Sequence, residues 1–147
     1  MTSLADFVRR WHAGEVSLAP IVELLGIRPV ELGEGRAVVE MDVDSRLHNA
    51  MGILHGGVLL DLADVAIGVA LATVAEEGET FSTVQSSVSY LRPVREGRLL
   101  AEARVAQRGR TIGHLECGVR DAEGRGVARV VSTLSIRRPP SDEGAAP

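Results

Sequence analysis

The stretch HNAMGILHGGVLLDLAD, from His48 to Asp64, decides the fold of this chain. Its His-Gly-Gly triplet, residues 55–57, ends the irregular stretch that precedes it. An apolar segment begins there and reaches about Ala75. A segment that is apolar on all sides is typical of a helix within a core. It carries only two charges, Asp61 and Asp64, and carboxylates are rarely buried unless a function needs them. We therefore predict a central buried helix that carries an acid close to its N-terminal amides.

The composition excludes several classes of function. The net charge of −4 offers no basic field for nucleic acid or for a membrane surface. In a bilayer the two aspartates would each cost roughly 2.5–3.5 kcal/mol, so we do not expect the apolar segment to span one. A single cysteine, Cys117, excludes an intrachain disulfide and a thiolate-rich zinc site, and it favours a cytoplasmic location. The chain has no lysine, which excludes a Walker-A loop and a Schiff-base enzyme.

Hydrophobic periodicity predicts one domain over residues 1–138, with two helices within residues 1–26. Two strands precede the long helix and four follow it; we place them at residues 27–32, 36–43, 82–91, 99–107, 111–121 and 126–137. In the third of these strands, alternation puts Val88 and Tyr90 on the face opposite Thr83. A tail rich in Pro, Gly, Ser and acid, residues 139–147, is predicted to be disordered. The fold class is α+β, an antiparallel sheet wrapped around one helix.

These features together resemble the hotdog-fold acyl-CoA thioesterases. The pattern Asn49-x-x-Gly52-x-x-His55-Gly56-Gly57, with an acid seven residues later, is similar to that of the phenylacetate-degradation (PaaI) type. That group includes the human-type thioesterase superfamily members and one class of 4-hydroxybenzoyl-CoA thioesterases. The similarity covers roughly residues 24–137. The resemblance implies hydrolysis of an acyl-CoA, either aromatic, such as phenylacetyl or hydroxyphenylacetyl, or medium-chain.

The resemblance also implies roles for five residues. Gly56 would donate its amide to the carbonyl oxygen, and Asp64 would act as nucleophile or as general base. Asn49 and His55 would hold the reactants and the loop. Thr83 would orient water and would come from the opposite subunit. On spacing alone Asp61, three residues before Asp64, remains a rival acid that could instead pair with an arginine.

Further residues are predicted to bind substrate. Gly57 lies beside the oxyanion donor, and it lacks a Cβ that would keep a ligand away. Arginines suit the phosphates of coenzyme A because they form bidentate hydrogen bonds. Arg92, Arg108 and Arg110 stand at strand ends or turns and are the candidates. We expect no metal and no cofactor, since coenzyme A is part of the substrate.

Assembly and two alternative functions complete the expectations. One sheet around one helix leaves sheet edges and a helix flank exposed, so we expect a homo-oligomer, a dimer of dimers, with sites at subunit interfaces. A hotdog dehydratase or hydratase is one alternative, although its His-Phe-Pro entry is missing here. A non-catalytic acyl-CoA-binding protein is the other. We expect no nucleic-acid partner and no membrane partner.

Overall fold

A computed structural model describes residues 2–140 as three α-helices and six strands. The order along the chain is α1 (Leu4–His12), α2 (Pro20–Leu25), β1 (Arg28–Gly33), β2 (Arg36–Val43), a 3₁₀ turn (Ser45–Leu47), α3 (Gly56–Ala72), β3 (Thr80–Tyr90), β4 (Gly97–Arg108), β5 (Ile112–Asp121) and β6 (Gly126–Arg137). Every element predicted from the sequence is present. The predicted tail lies almost wholly outside the described residues.

The six strands form one antiparallel sheet in the order β1-β2-β4-β5-β6-β3, so β1 and β3 are its edges. The sheet curves around α3, whose inward residues Leu62, Ala66 and Ile67 have no exposed surface. Small and branched side chains from β2, β4 and β5 pack against them. Because the sheet covers most of its surface, the sequence of α3 is apolar on nearly every side. The remaining stripe of α3, with Asp61 and Asp64, is open.

The two ends of α3 are fixed by side chains. At its start, His55 Nδ1 accepts a hydrogen bond of 2.9 Å from the Gly57 N–H and caps the helix. At its end, the Thr73 hydroxyl donates to the Ala70 carbonyl and accepts from the Gly35 N–H. The helix therefore stops at Ala72, three residues before the predicted end, because Thr73 ties it to the β1–β2 turn.

A β-bulge in β3 changes which residues share a face. Thr83 is paired with Leu134 and Gln85 with Thr133, so Val84 is an extra residue without a partner on β6. Beyond the bulge Tyr90 is paired with Ala128, which is buried on the same face as Leu134. The prediction that Thr83 and Tyr90 lie on opposite faces is therefore wrong: the bulge places both on the face toward α3.

Candidate active site

The carboxylate of Asp64 meets a hydroxyl from β3. The Thr83 Oγ1 donates a hydrogen bond of 3.0 Å to Asp64 Oδ1 within the same chain. Thr83 thus contacts the acid of its own chain, and its predicted role in orienting water from the opposite subunit stays a prediction. Both side chains are exposed, so the expected burial of the acid is not found in a single chain. The acid and the hydroxyl form one preassembled pair on the open side of the molecule.

Asp61 lies one turn earlier on the same open stripe of α3. Partial desolvation and the negative charge of Asp64 raise its pKa, and the charge of His55 opposes this only in part. No arginine among residues 2–140 pairs with Asp61, so the alternative role of an arginine partner is not seen. Two acids three residues apart thus face the same space.

The first amide of α3 is unused. Gly57 donates its N–H to His55 Nδ1, and the N–H groups of Val58 and Leu59 donate to the His55 carbonyl. Within the described part of the chain, no acceptor takes the Gly56 N–H. A free N–H at a helix N-terminus favours a developing negative charge, because the helix dipole adds to the hydrogen bond. Gly56 is thus available for the predicted role, whereas the Gly57 amide is occupied by the cap.

Asn49 shapes the loop that leads into α3. Its side-chain oxygen accepts hydrogen bonds from the Met51 N–H (2.9 Å) and, at 3.4 Å, from the Ile53 N–H. The Asn49 backbone N–H donates to the Ile53 carbonyl, which closes the same loop. These hydrogen bonds give the predicted role of Asn49 in holding the loop a structural basis. The side-chain NH₂ group of Asn49 donates to no acceptor among residues 2–140.

Tyr90 is a site residue that the sequence did not single out. Its hydroxyl donates to the Gly56 carbonyl at 3.0 Å. Its ring covers Gly56 so closely that an added Cβ there would lie 2.9 Å from the ring. A side chain at position 56 would therefore have to displace the Tyr90 ring, which glycine leaves in place. The only signal in the sequence was an aromatic residue at a strand end, which by itself does not indicate a site.

A cleft of about 400 Å³ opens beside this helix start. Asn49, Gly56, Tyr90 and Arg92 line it. The remaining lining residues are apolar: Ile53, Leu54, Leu59, Leu91, Pro93 and Val94. An apolar cleft with a few polar groups at one end is the usual form of a small-molecule site. Arg92 is exposed at this cleft, and its binding of a coenzyme A phosphate stays a prediction.

The other two predicted arginines lie elsewhere. Arg108 is bound to the buried carboxylate of Glu79 and lies 3.7 Å from Glu76, beyond the C-terminal end of α3. Glu79 also receives Arg138 at 3.0 Å, and its side chain is only 2% exposed. Burial would raise the pKa of Glu79, but hydrogen bonds from the Glu76 N–H and Arg108 outweigh it and hold the pKa below its usual value. Arg110 is exposed in the turn between β4 and β5.

The two groups of the site are separated within one chain. Gly56 and Asp64 are eight residues apart on α3, which is about 12 Å along the helix axis. Their contacts with β3 show the same separation, since Gly56 meets Tyr90 and Asp64 meets Thr83. Catalytic groups that act on one carbonyl must lie about 3 Å from the reacting atoms. Gly56 and Asp64 of one chain are therefore too far apart to take their predicted roles at the same carbonyl.

Comparison with known proteins identifies the family. Residues 51–128 match the profile of the Thioesterase superfamily. This chain belongs to that superfamily. The proofreading thioesterase EntH of Klebsiella pneumoniae is 34% identical over 71% of this chain and 77% of its own length. The residues matched by the profile include the α3 helix with Gly56 and Asp64.

Solved structures of the superfamily share the whole architecture. The crystal structure of the Haemophilus influenzae thioesterase HI1161 is 28% identical, with a TM-score of 0.80 over 97% of this chain and 96% of that one. The Escherichia coli PaaI protein from the phenylacetic acid degradation operon is 26% identical, with a TM-score of 0.79 over 90% and 95%. The predicted hotdog fold and the resemblance to PaaI are confirmed.

Membership of this thioesterase superfamily makes the protein a thioester hydrolase, in a family that acts on acyl-CoA substrates. It favours hydrolysis over the dehydratase and over the non-catalytic binding protein. Within residues 2–140, no three or more His, Cys, Asp or Glu side chains are grouped so as to hold a metal ion. No helix in that range has the length and apolar character needed to cross a membrane.

Proposed function

We propose that this thioesterase hydrolyses an acyl-CoA to the free acid and coenzyme A at a site shared by two copies of the chain. Asp64 acts as the nucleophile or the general base, and the Gly56 amide donates to the carbonyl oxygen. The observation that carries the proposal is the Asp64–Thr83 hydrogen bond on the open stripe of a helix whose first N–H is free.

The edge strand β3 supports the proposal that two copies complete the site. Its outer edge carries unpaired backbone groups, which favour pairing with another strand. If two β3 strands pair antiparallel about a twofold axis between Ser86 and Ser87, Thr83 of one copy lies opposite Tyr90 of the other. Since Tyr90 is bonded to Gly56 and Thr83 to Asp64, this pairing brings the free amide of one chain to the acid of its partner.

The chemistry follows from these groups. The Gly56 N–H stabilises the negative charge that develops on the thioester oxygen. Asp64 then either attacks the carbonyl carbon, giving a mixed anhydride that water hydrolyses, or removes a proton from an attacking water. In both routes the carbon–sulfur bond breaks and coenzyme A leaves as a thiolate. The Thr83 hydroxyl orients Asp64 or the water. The reaction needs no metal and no further cofactor.

The substrate is proposed from the cleft and from the relatives. The apolar lining suits an aromatic acyl group, such as phenylacetyl or hydroxyphenylacetyl, or a medium-length chain. Arg92 at the cleft mouth would bind a phosphate of coenzyme A. Arg108 is less suited to that role, because the buried carboxylate of Glu79 already neutralises it. A panel of aromatic and aliphatic acyl-CoA esters, followed with a thiol reagent, would rank the acyl groups.

Mixed dimers test the shared site directly. The Asp64→Asn variant removes the acid half, and Gly56→Ala disturbs the amide half because its Cβ forces the Tyr90 ring away from the helix start. Each variant alone should be inactive, with circular dichroism showing that it is folded. After dissociation and reassembly in equal amounts, half of the dimers would be mixed, and each mixed dimer would hold one intact site.

The expected activity is about a quarter of that of the wild type, the statistical value for a twofold dimer. A mixture that remains inactive, although mixed dimers are demonstrated with distinct tags, would show that the two groups act within one chain. Full activity of Asp64→Asn alone would remove the proposed role of the acid.

A further inference from the structure

The peptide group between Gly56 and Gly57 is held at both of its ends by side chains outside α3. Its carbonyl oxygen accepts a hydrogen bond of 3.0 Å from the hydroxyl of Tyr90 on β3. Its N–H donates a hydrogen bond of 2.9 Å to His55 Nδ1, the cap of the helix. Two side chains that are distant in the sequence thus fix the plane of one peptide group. We call these two hydrogen bonds the peptide clamp.

The preceding peptide group, between His55 and Gly56, is held through its carbonyl. The His55 carbonyl accepts from the Val58 N–H at 3.0 Å and from the Leu59 N–H at 3.3 Å. Of the polar backbone groups on either side of the Gly56 Cα, only the Gly56 N–H has no partner among residues 2–140. This free N–H is the group that donates to the thioester oxygen in the proposed function.

Two successive glycines make this the least constrained part of the helix. Glycine has more conformational freedom to lose than any other residue, and the first N–H groups of a helix have no partner within it. Without contacts from outside the helix, the first turn frays and the Gly56 N–H has no fixed direction. A donor stabilises a developing negative charge best when it is already oriented, because no reorganisation is then needed during the reaction. The peptide clamp supplies the orientation that the glycines lack.

Tyr90 contacts the helix start with the polar end of its side chain. A Cβ added at Gly56 would lie 2.9 Å from both Cζ and the hydroxyl oxygen of Tyr90, so this end of the ring lies against the peptide group. The side chain is 56% exposed in a single chain, and its position on β3 is set by pairing with Ala128 on β6. Tyr90→Phe therefore removes the hydrogen bond and leaves the ring in place.

We propose that Tyr90 is a positioning residue of the thioesterase reaction, which together with His55 clamps the Gly56–Gly57 peptide group and so keeps the free Gly56 N–H directed at the thioester oxygen. This inference rests on the role that the proposed function gives to the Gly56 amide. The clamp also sets the state of the His55 ring. Nδ1 must be unprotonated to accept a hydrogen bond, so the ring is neutral and carries its proton on Nε2.

A double-mutant cycle tests the clamp. The variants are Tyr90→Phe, His55→Ala and the two combined. Ser89→Ala is the matched control, because it removes a hydroxyl from the neighbouring position, which is exposed and paired with Arg129 on the other face of the sheet. His55→Asn is the conservative variant, since asparagine also caps a helix by accepting from a backbone N–H.

Two measurements separate positioning from packing. Steady-state kinetics, with the acyl-CoA that the wild type hydrolyses fastest, give kcat and KM separately. The second measurement uses a ketone analogue of that substrate, in which a methylene group replaces the thioester sulfur and the carbonyl carbon is ¹³C. The infrared stretching frequency of the bound carbonyl reports the hydrogen bond to its oxygen, which a change in packing elsewhere does not alter.

We expect Tyr90→Phe to lower kcat by about 2- to 12-fold, the range for one neutral hydrogen bond, with little change in KM. The carbonyl stretch should move to a higher frequency in Tyr90→Phe and stay unchanged in Ser89→Ala. His55→Ala should also lower kcat, and His55→Asn should recover most of that loss. The double variant should lose less than the product of the two single losses, because both hydrogen bonds hold the same peptide group.

Three results would overturn the inference: an unchanged kcat and carbonyl stretch in Tyr90→Phe, single losses that multiply in the double variant, or a lower kcat with an unchanged stretch and a lower midpoint of thermal unfolding. The last of these would assign Tyr90 to packing alone. A wild type that hydrolyses no acyl-CoA, or full activity of Asp64→Asn, would instead contradict the proposed function, on which the inference rests.

Discussion

The hydroxyl of Thr83 offers the sharpest test of the proposed mechanism. Thr83→Val keeps the β-branched shape of the side chain and removes only the hydrogen bond of 3.0 Å to Asp64. A hydrogen bond to a charged group contributes roughly 1.5–3 kcal/mol. If this whole contribution stabilises the transition state and not the bound substrate, loss of the hydrogen bond lowers kcat by about 10- to 150-fold. Since the bond orients the acid or the water and does not hold coenzyme A, KM should change little.

The stability of the same variant separates catalysis from folding. Thr83 is exposed on an edge strand, and such substitutions usually alter the free energy of unfolding by no more than about 0.5 kcal/mol. For a chain of this size the midpoint of thermal unfolding should therefore shift by about 2 °C or less. Steady-state kinetics with a thiol reagent and differential scanning calorimetry give both quantities. Thr83→Ser, which keeps the hydroxyl, is the matched control and should retain most of kcat.

Two results would refute this reasoning. An unchanged kcat in Thr83→Val would show that the hydrogen bond to Asp64 has no role in the rate-limiting step. A decrease in kcat that Thr83→Ser shares would assign the effect to packing rather than to the hydroxyl.

Three further predictions concern the two acids, the aromatic wall and the buried ion pair. Asp64→Asn should lower kcat by about 10²- to 10⁴-fold, whereas Asp61→Asn should retain most activity; the reverse order would assign the catalytic role to Asp61. Tyr90→Phe removes one neutral hydrogen bond and should lower kcat/KM by about 2- to 12-fold with an unchanged fold, and an effect on unfolding alone would make Tyr90 purely structural. Glu79→Gln breaks a buried ion pair and should reduce the free energy of unfolding by about 3–5 kcal/mol in urea titrations. The pKa of Glu79 is lower in the folded protein than its ordinary value of 4.5, so the stabilisation by its ionised carboxylate is present above pH 4.5 and is lost as the pH falls through the folded pKa. The difference in unfolding free energy between wild type and Glu79→Gln should therefore shrink in acid. A difference that stays constant with pH would contradict this account.

Much of the fold was predictable because its signals are local. The change of hydrophobic period at the end of α3, the glycine turns and the His-Gly-Gly helix start are all contained in short windows of sequence. The order of the strands and the curvature around α3 depend on contacts between distant residues. The helix end at Thr73 is one example, because its partner Gly35 lies 38 residues away.

The arrangement of the candidate site could not be predicted from the sequence. The burial inferred for Asp64 assumed that the apolar α3 is covered on every side, yet one stripe stays open in a single chain. The bulge at Val84 has no mark in the sequence, because the strand around it is made of small polar residues that fit either face equally well. Arg108 and Glu79 are paired although they are 29 positions apart in the chain. The sequence around either residue contains no pattern that would predict this pair.

The bulge in β3 has a consequence for how the site can vary. Thr83 and Tyr90 are seven residues apart, and in a regular strand an odd separation would point them to opposite sides of the sheet. One additional residue, Val84, restores a common direction. Deletion of Val84 would remove no group with a proposed chemical role, and the strand could still pair along its length. It would nevertheless turn either the Thr83 hydroxyl or the Tyr90 phenol to the opposite face of the sheet. A single exposed valine therefore determines whether both side chains face α3.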